Sequence, residues 1–135
     1  MALNPKTAVA ARNAALDAAF DTLNGDLFGI FDGTQPTNAD TALGAQTLLA
    51  ELTLNATAFA AASSGSKAAN AITQDSSANA TGTASWASLY ATARTTVGTM
   101  DMEAGTSGAN LNLNSVAISS GAAVSCSSLT ITQAA

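Results

Sequence analysis

The stretch TLLAELTLNATAF, residues 47–59, decides how the rest of the chain is read. Leu48, Ala50, Leu52 and Leu54 alternate with Leu49, Glu51, Thr53 and Asn55. Successive side chains of a strand point to opposite faces, so this period of two marks a half-buried β-strand. Just before it, DLFGIFDG (26–33) reads as a strand with a twist or bulge at Gly29 and a turn at Asp32-Gly33. After it, ASSGSK (62–67) reads as a flexible link, AANAIT (68–73) as a weak strand and QDSSANATG (74–82) as a turn-rich connection.

Further on, GTASWASLYATAR (82–94) places Ala84, Trp86, Ser88 and Tyr90 on one face and Ala87, Leu89 and Ala91 on the other. Apolar groups on both faces predict a central strand, covered on two sides. TTVGTMDM (95–102) continues the sheet, EAGTSGAN (103–110) turns, and GTSGAN (105–110) within it reads as a hairpin turn. Residues 111–132 then give three short strands. Val124 and Cys126 are even-numbered while Leu129 and Ile131 are odd, so a bulge near Ser127-Ser128 is needed to keep them on one face.

The N-terminal segment has a different period. In KTAVAARNAALDAAFDTL (6–23), Val9, Leu16, Phe20 and Leu23 form a narrow apolar stripe on a helical wheel. Asn4 is the expected N-cap, Pro5 suits the first helical position, and Asn24-Gly25 supplies the stop. An alanine-rich helix of this length is marginal alone. It must dock, either on its own sheet or on a partner subunit, and the sequence favours a role in association. The expected fold is mainly β: an antiparallel β-sandwich or barrel with one N-terminal α-helix. Residues 1–25 form the helix and residues 26–135 the β domain, together a single structural domain without internal repeats.

Composition narrows the function. Of 135 residues, 47% are apolar, yet only 4% are aromatic, and 10% are charged against a usual share of about 25%. A surface rich in Ser, Thr, Asn and Ala repels neighbours weakly and suits close contact with them. Net charge is -5, and the basic residues Lys6, Arg12, Lys67 and Arg94 are scattered, which argues against nucleic acid and against an anionic membrane as partners. The lone Cys126 cannot form an intrachain disulfide and reads as a buried, inert thiol. No signal-peptide pattern and no apolar span of membrane length is present, so synthesis in the cytoplasm without export is expected.

The chain has no histidine, which removes the commonest general base and metal ligand. Asp101 and Glu103 share a strand face, but nothing nearby would split their pKa values, and they read as a solvated edge. Asp32, Asn38 and Asp40 in DGTQPTNAD resemble half a calcium loop, but their spacing fits no EF-hand and Asx turns account for the same residues. GTSGAN (105–110) lacks the lysine and the helix of a phosphate cradle, and Trp86 reads as core rather than as a sugar platform. The expectation is no enzyme, with no catalytic, cofactor-binding or metal residues.

The order of these features resembles a family of small virion proteins of tailed bacteriophages and prophages. The residues carrying the likeness are RNAALDA (12–18), the turn marked by Gly33, Pro36, Ala39 and Asp40, LLAELTLNATAF (48–59), GTASW (82–86) and the closing segment 105–132. LFGIFDG stands where a more polar strand is common in that family, and 90–106 matches only loosely. The resemblance implies a capsid decoration, or cement, protein on the outer surface of the phage head. Its expected partners are the major capsid protein and further copies of itself, a trimer at lattice threefold positions being one such arrangement. Weak contacts multiplied over a lattice would serve such a role. The alternative is a receptor- or glycan-binding module on a tail or fibre.

Overall fold

The computed structural model describes residues 5–90 and 100–133. The expected Asn4 cap, Ala91, Arg94 and most of TTVGTMDM therefore lie outside the described residues. The chain is mainly β with one N-terminal helix, as the sequence predicts. Helix α1 spans Val9–Phe20 and runs into a single 3₁₀ turn, Asp21–Leu23. Among the described residues nine strands follow: β1 Leu27–Phe31, β2 Leu48–Thr53, β3 Ser66–Ala68, β4 Gly82–Thr83, β5 Trp86–Tyr90, β6 Met100–Gly105, β7 Leu111–Leu113, β8 Ala117–Ile118 and β9 Cys126–Thr132. Seven form one curled half-barrel sheet in the order β2-β1-β5-β6-β7-β9-β3, while β4 and β8 pair separately.

The sheet is mixed rather than wholly antiparallel. Strands β6 and β7 run parallel, with Ala104 opposite Leu111 and Gly105 opposite Asn112. Segment 105–110 is consequently no hairpin. It carries the chain through a full loop, turning at Gly108 with φ +75°, and Asn112 holds that loop from inside. Its Nδ2 donates to the Ala109 carbonyl at 3.0 Å and its Oδ1 accepts from Ala109 N at 3.2 Å. A short Gly-Ser-Asn segment has the same composition in either connection, so alternation alone does not distinguish them.

Strand β5 lies between β1 and β6, and all five of its residues are buried, in agreement with its two apolar faces. The bulge expected near Ser127 is present: Asn112 faces Ser128 but Leu113 faces Cys126, leaving Ser127 extra. A second bulge changes the reading of β2. Ile30 faces Ala50 but Phe31 faces Leu48, so Leu49 is the extra residue and Leu48 swings to the opposite face from Ala50, Leu52 and Leu54. Leu49 joins the main core, which also holds Phe28, Ile30, Ala87 and Leu89. Leu48 instead packs on a second cluster built from Phe31, Trp86 and Tyr90.

That second cluster explains Gly29. A Cβ there would lie 2.5 Å from Tyr90 Oη and 2.9 Å from both a Leu48 and a Phe31 carbon. The glycine is a seat for the aromatic cover, and the bulge sits one position away from it. Gly29→Ala is expected to lose about 1–3 kcal/mol, the usual range for overpacking. Urea denaturation of the variant checks this, and an unchanged midpoint would refute it.

Helix α1 starts later than Pro5 predicts. Its N-cap is Ala8, which offers no side-chain bond, and the first turn closes through Arg12 N to the Ala8 carbonyl at 3.0 Å. Leu16, Phe20 and Leu23 are buried in the main core, with Phe20 tilted against Phe59 at 6.0 Å, whereas Val9 is 46% exposed. The stop behaves as expected, Gly25 taking φ +75° and donating to the Asn55 carbonyl at 2.8 Å. The helix is thus docked on its own domain.

Both outer edges of the large sheet are covered by the chain itself. Along β2, Thr53 and Thr73 exchange backbone bonds, Asn79 N donates to Leu49 O at 2.7 Å, and Asp75 Oδ2 accepts from Glu51 N at 2.9 Å. Along β3, Ala60 N donates to Ala68 O at 2.9 Å, and Phe59 bridges Ala69.

Candidate functional site

The most concentrated charge in the described residues lies where the helix meets β3. Lys67 sits in the segment the sequence assigns to a flexible link, yet it is a strand residue opposite Ile131 with no exposed side-chain surface. Its Nζ donates to Asp17 Oδ1 and, at 2.9 Å, contacts Asp21 Oδ1. The carboxylates that cap it remain 38% and 54% exposed, so the cluster is shallow: one layer of side chain separates the ammonium from water. Burial opposes the Lys67 charge, but hydrogen bonds to Asp17 and Asp21 outweigh it and leave the ammonium above its ordinary pKa. The hydrogen bond from Lys67, with another from Ala62 N, holds the Asp17 carboxyl below its ordinary value.

Three further bonds fasten the same corner. Asp17 Oδ1 accepts from Ala62 N at 2.9 Å, Asn13 Oδ1 from Gly65 N at 2.9 Å, and Arg12 Nη1 donates to Gln133 O at 3.3 Å. Asp17, Asn13 and Arg12 of the helix are thus each bonded to the body of the domain. No local signal marks Lys67 for burial, because its partners lie 46 to 50 residues away in sequence.

The turn at 32–40 is tied down in a different way. Asp32 Oδ1 accepts from Thr47 N at 2.6 Å, while Asn38 Oδ1 takes Asp40 N at 3.1 Å and Thr41 Oγ1 at 2.9 Å. Asn38 makes an Asx turn. Asp32 Oδ1 and Asn38 Oδ1 are thus used within the loop, and among the described residues no three histidine, cysteine or acidic side chains come together.

On the second sheet face, Tyr90 Oη donates to Glu51 Oε2 at 2.6 Å. Burial first, and then the Glu51 carboxylate, hold the phenol far above its ordinary pKa, so it stays a neutral donor. Glu103 and Asp101 lie on this face too, opposite Trp86 and Ser88. Trp86 is 1% exposed and stacks on Phe31 at 4.6 Å and 15°, with Nε1 donating to Asp32 O at 3.1 Å. It is core, as the sequence predicts. Cys126 is half-buried rather than fully so; desolvation pushes its thiol up to about 11, well away from the reactive thiolate.

What the arrangement does chemically is fix loops. Asp17, Asp21, Asp32, Glu51 and Asp75 each hold a partner inside the fold. No helix of the described residues is long and apolar enough to cross a membrane. No family model, curated protein or solved structure matches the chain.

Proposed function

We propose that the protein is a structural component of a tailed-phage virion, a decoration protein that binds the outside of the assembled head and stabilises it. The observation that carries this reading is how the charged side chains are used. Five carboxylates act as internal fasteners of turns, strands and the helix, while the exposed loops at 33–47 and 106–110 present mostly Thr, Ser, Asn, Gln, Gly and Ala. A domain fastened from within, with a weakly charged surface of small side chains, is suited to repeated close contact with a lattice. Many weak contacts to an ordered shell then add up, and binding the assembled state better than the free subunits stabilises that state.

The test is a quantitative gel of purified particles from a host producing the protein. The expected result is a copy number of the same order as that of the shell protein, with particles lacking it bursting at lower temperature. A copy number far below that, with loss of adsorption to host cells, would replace this reading with a tail or fibre module.

A further inference from the structure

The geometry points to an intramolecular amide between Lys67 Nζ and the side-chain carboxyl of Asp17, a covalent staple from helix α1 to strand β3. Three observations carry it. Lys67 is fully covered, and the contacts that compensate its charge are Asp17 Oδ1 and Asp21 Oδ1. Lys67 Nζ donates to Asp17 Oδ1, which places the nitrogen beside the carboxyl whose carbon, one bond beyond that oxygen, is to be attacked. Ala62 N donates to that same Oδ1 at 2.9 Å, aimed where negative charge would gather in a tetrahedral adduct.

Asp21 completes the set. Its carboxylate, 2.9 Å from Nζ, is placed to take a proton from the ammonium and free the lone pair. The lone pair attacks Asp17 Cγ, which has to be in its protonated form. The C–Oδ2 bond then breaks, and Oδ2 leaves as water with its own proton, taken from solvent, and the proton carried by Asp21. The freed Asp21 carboxylate takes the second proton from nitrogen and returns it to solvent. In sum, one ammonium and one carboxylate become one amide and one water, with no change in oxidation state and none in net charge. The partial exposure of Asp17 and Asp21 gives the water a way out.

At rest the pair is ionic. The hydrogen bonds that raise Lys67 and lower Asp17 keep the neutral, reactive form in the minority, so the staple forms slowly after folding rather than during it. Its two ends are 50 residues apart, and closing that loop constrains the unfolded chain far more than a local link does.

Intact-mass measurement on the full-length protein, denatured before and after prolonged warm incubation, tests the staple. The expected result is a growing species lighter by one water, which tandem mass spectrometry of the digest resolves as a peptide containing Lys67 joined to one containing Asp17. Lys67→Met should abolish the linked peptide, and Asp21→Asn should slow its appearance at least tenfold. A wild-type mass that never departs from that of the sequence overturns the proposal. So does a water loss that persists in Lys67→Met, since Asp32-Gly33 can lose water by closing a succinimide. If a variant fails to fold, the linked peptide in the wild-type protein still decides.

Discussion

Trp86→Ala should destabilise the fold by about 3–5 kcal/mol, the range for removing a buried large aromatic. The cavity is only part of the loss. Trp86 and Phe31 stack at 4.6 Å, so the substitution strips one face of Phe31 as well. The Asp32 carbonyl loses the indole N–H that holds it at 3.1 Å, at the point where β1 turns into the 32–40 loop. Ser85 Oγ, bonded to Gly33 O at 2.6 Å, fastens the same turn and limits collapse into the gap. Equilibrium urea denaturation measures the change, and a loss below about 1 kcal/mol would mean that the site repacks around the void.

Removing residues 1–24 is expected to have a still larger effect: the remaining chain should fail to fold. Truncation takes Leu16, Phe20 and Leu23 out of the main core. It also strips Lys67 of both carboxylates, and a covered charge without a counter-charge is strongly unfavourable. Domains of this size retain only about 5–15 kcal/mol of net stability, which several such losses together exhaust. Loss of the cooperative urea transition and of the far-ultraviolet β signal would be the readout. A truncated chain with native Trp86 fluorescence and a cooperative transition would contradict it. The same contact gives the full-length protein an acid limit. Because the Asp17 carboxyl is held below its ordinary value of 3.8, its contribution is complete above that pH and fades as pH falls through the lower folded value.

Local pattern and tertiary structure agree most closely in two places. Residues 86–90 carry apolar groups on both faces and became the strand between two neighbours. The parity change between Cys126 and Leu129 required an extra residue, and Ser127 is that residue. Where the sequence misled, the cause was non-local. Leu48 alternates correctly with its neighbours, but the bulge at Leu49 is set by pairing with β1 and turns Leu48 to the other face. A lysine in SSGSK looks solvated until a helix placed far earlier in the chain delivers Asp17 and Asp21 to it. The same holds for the helix: its narrow stripe hinted at a partner subunit, while three of the four stripe residues fill this domain's own core. The carboxylates of the candidate site were visible as residue types. Their roles as fasteners were not, because hydrogen-bond partners are distributed by the fold.

The covered edges of the half-barrel bear on how the protein behaves at high concentration. A row of free strand amides invites another chain to add a strand, and a net charge of only -5 offers little repulsion against it. Thr73, Asp75 and Asn79 occupy the β2 edge and residues 59–60 the β3 edge, so neither rim offers a neighbour an open strand template. Copies crowded side by side can therefore meet through side chains without fusing into a continuous cross-β ribbon. Concentrated solutions should stay fluid and free of thioflavin-positive fibrils, despite a chain with so few charges to keep its molecules apart.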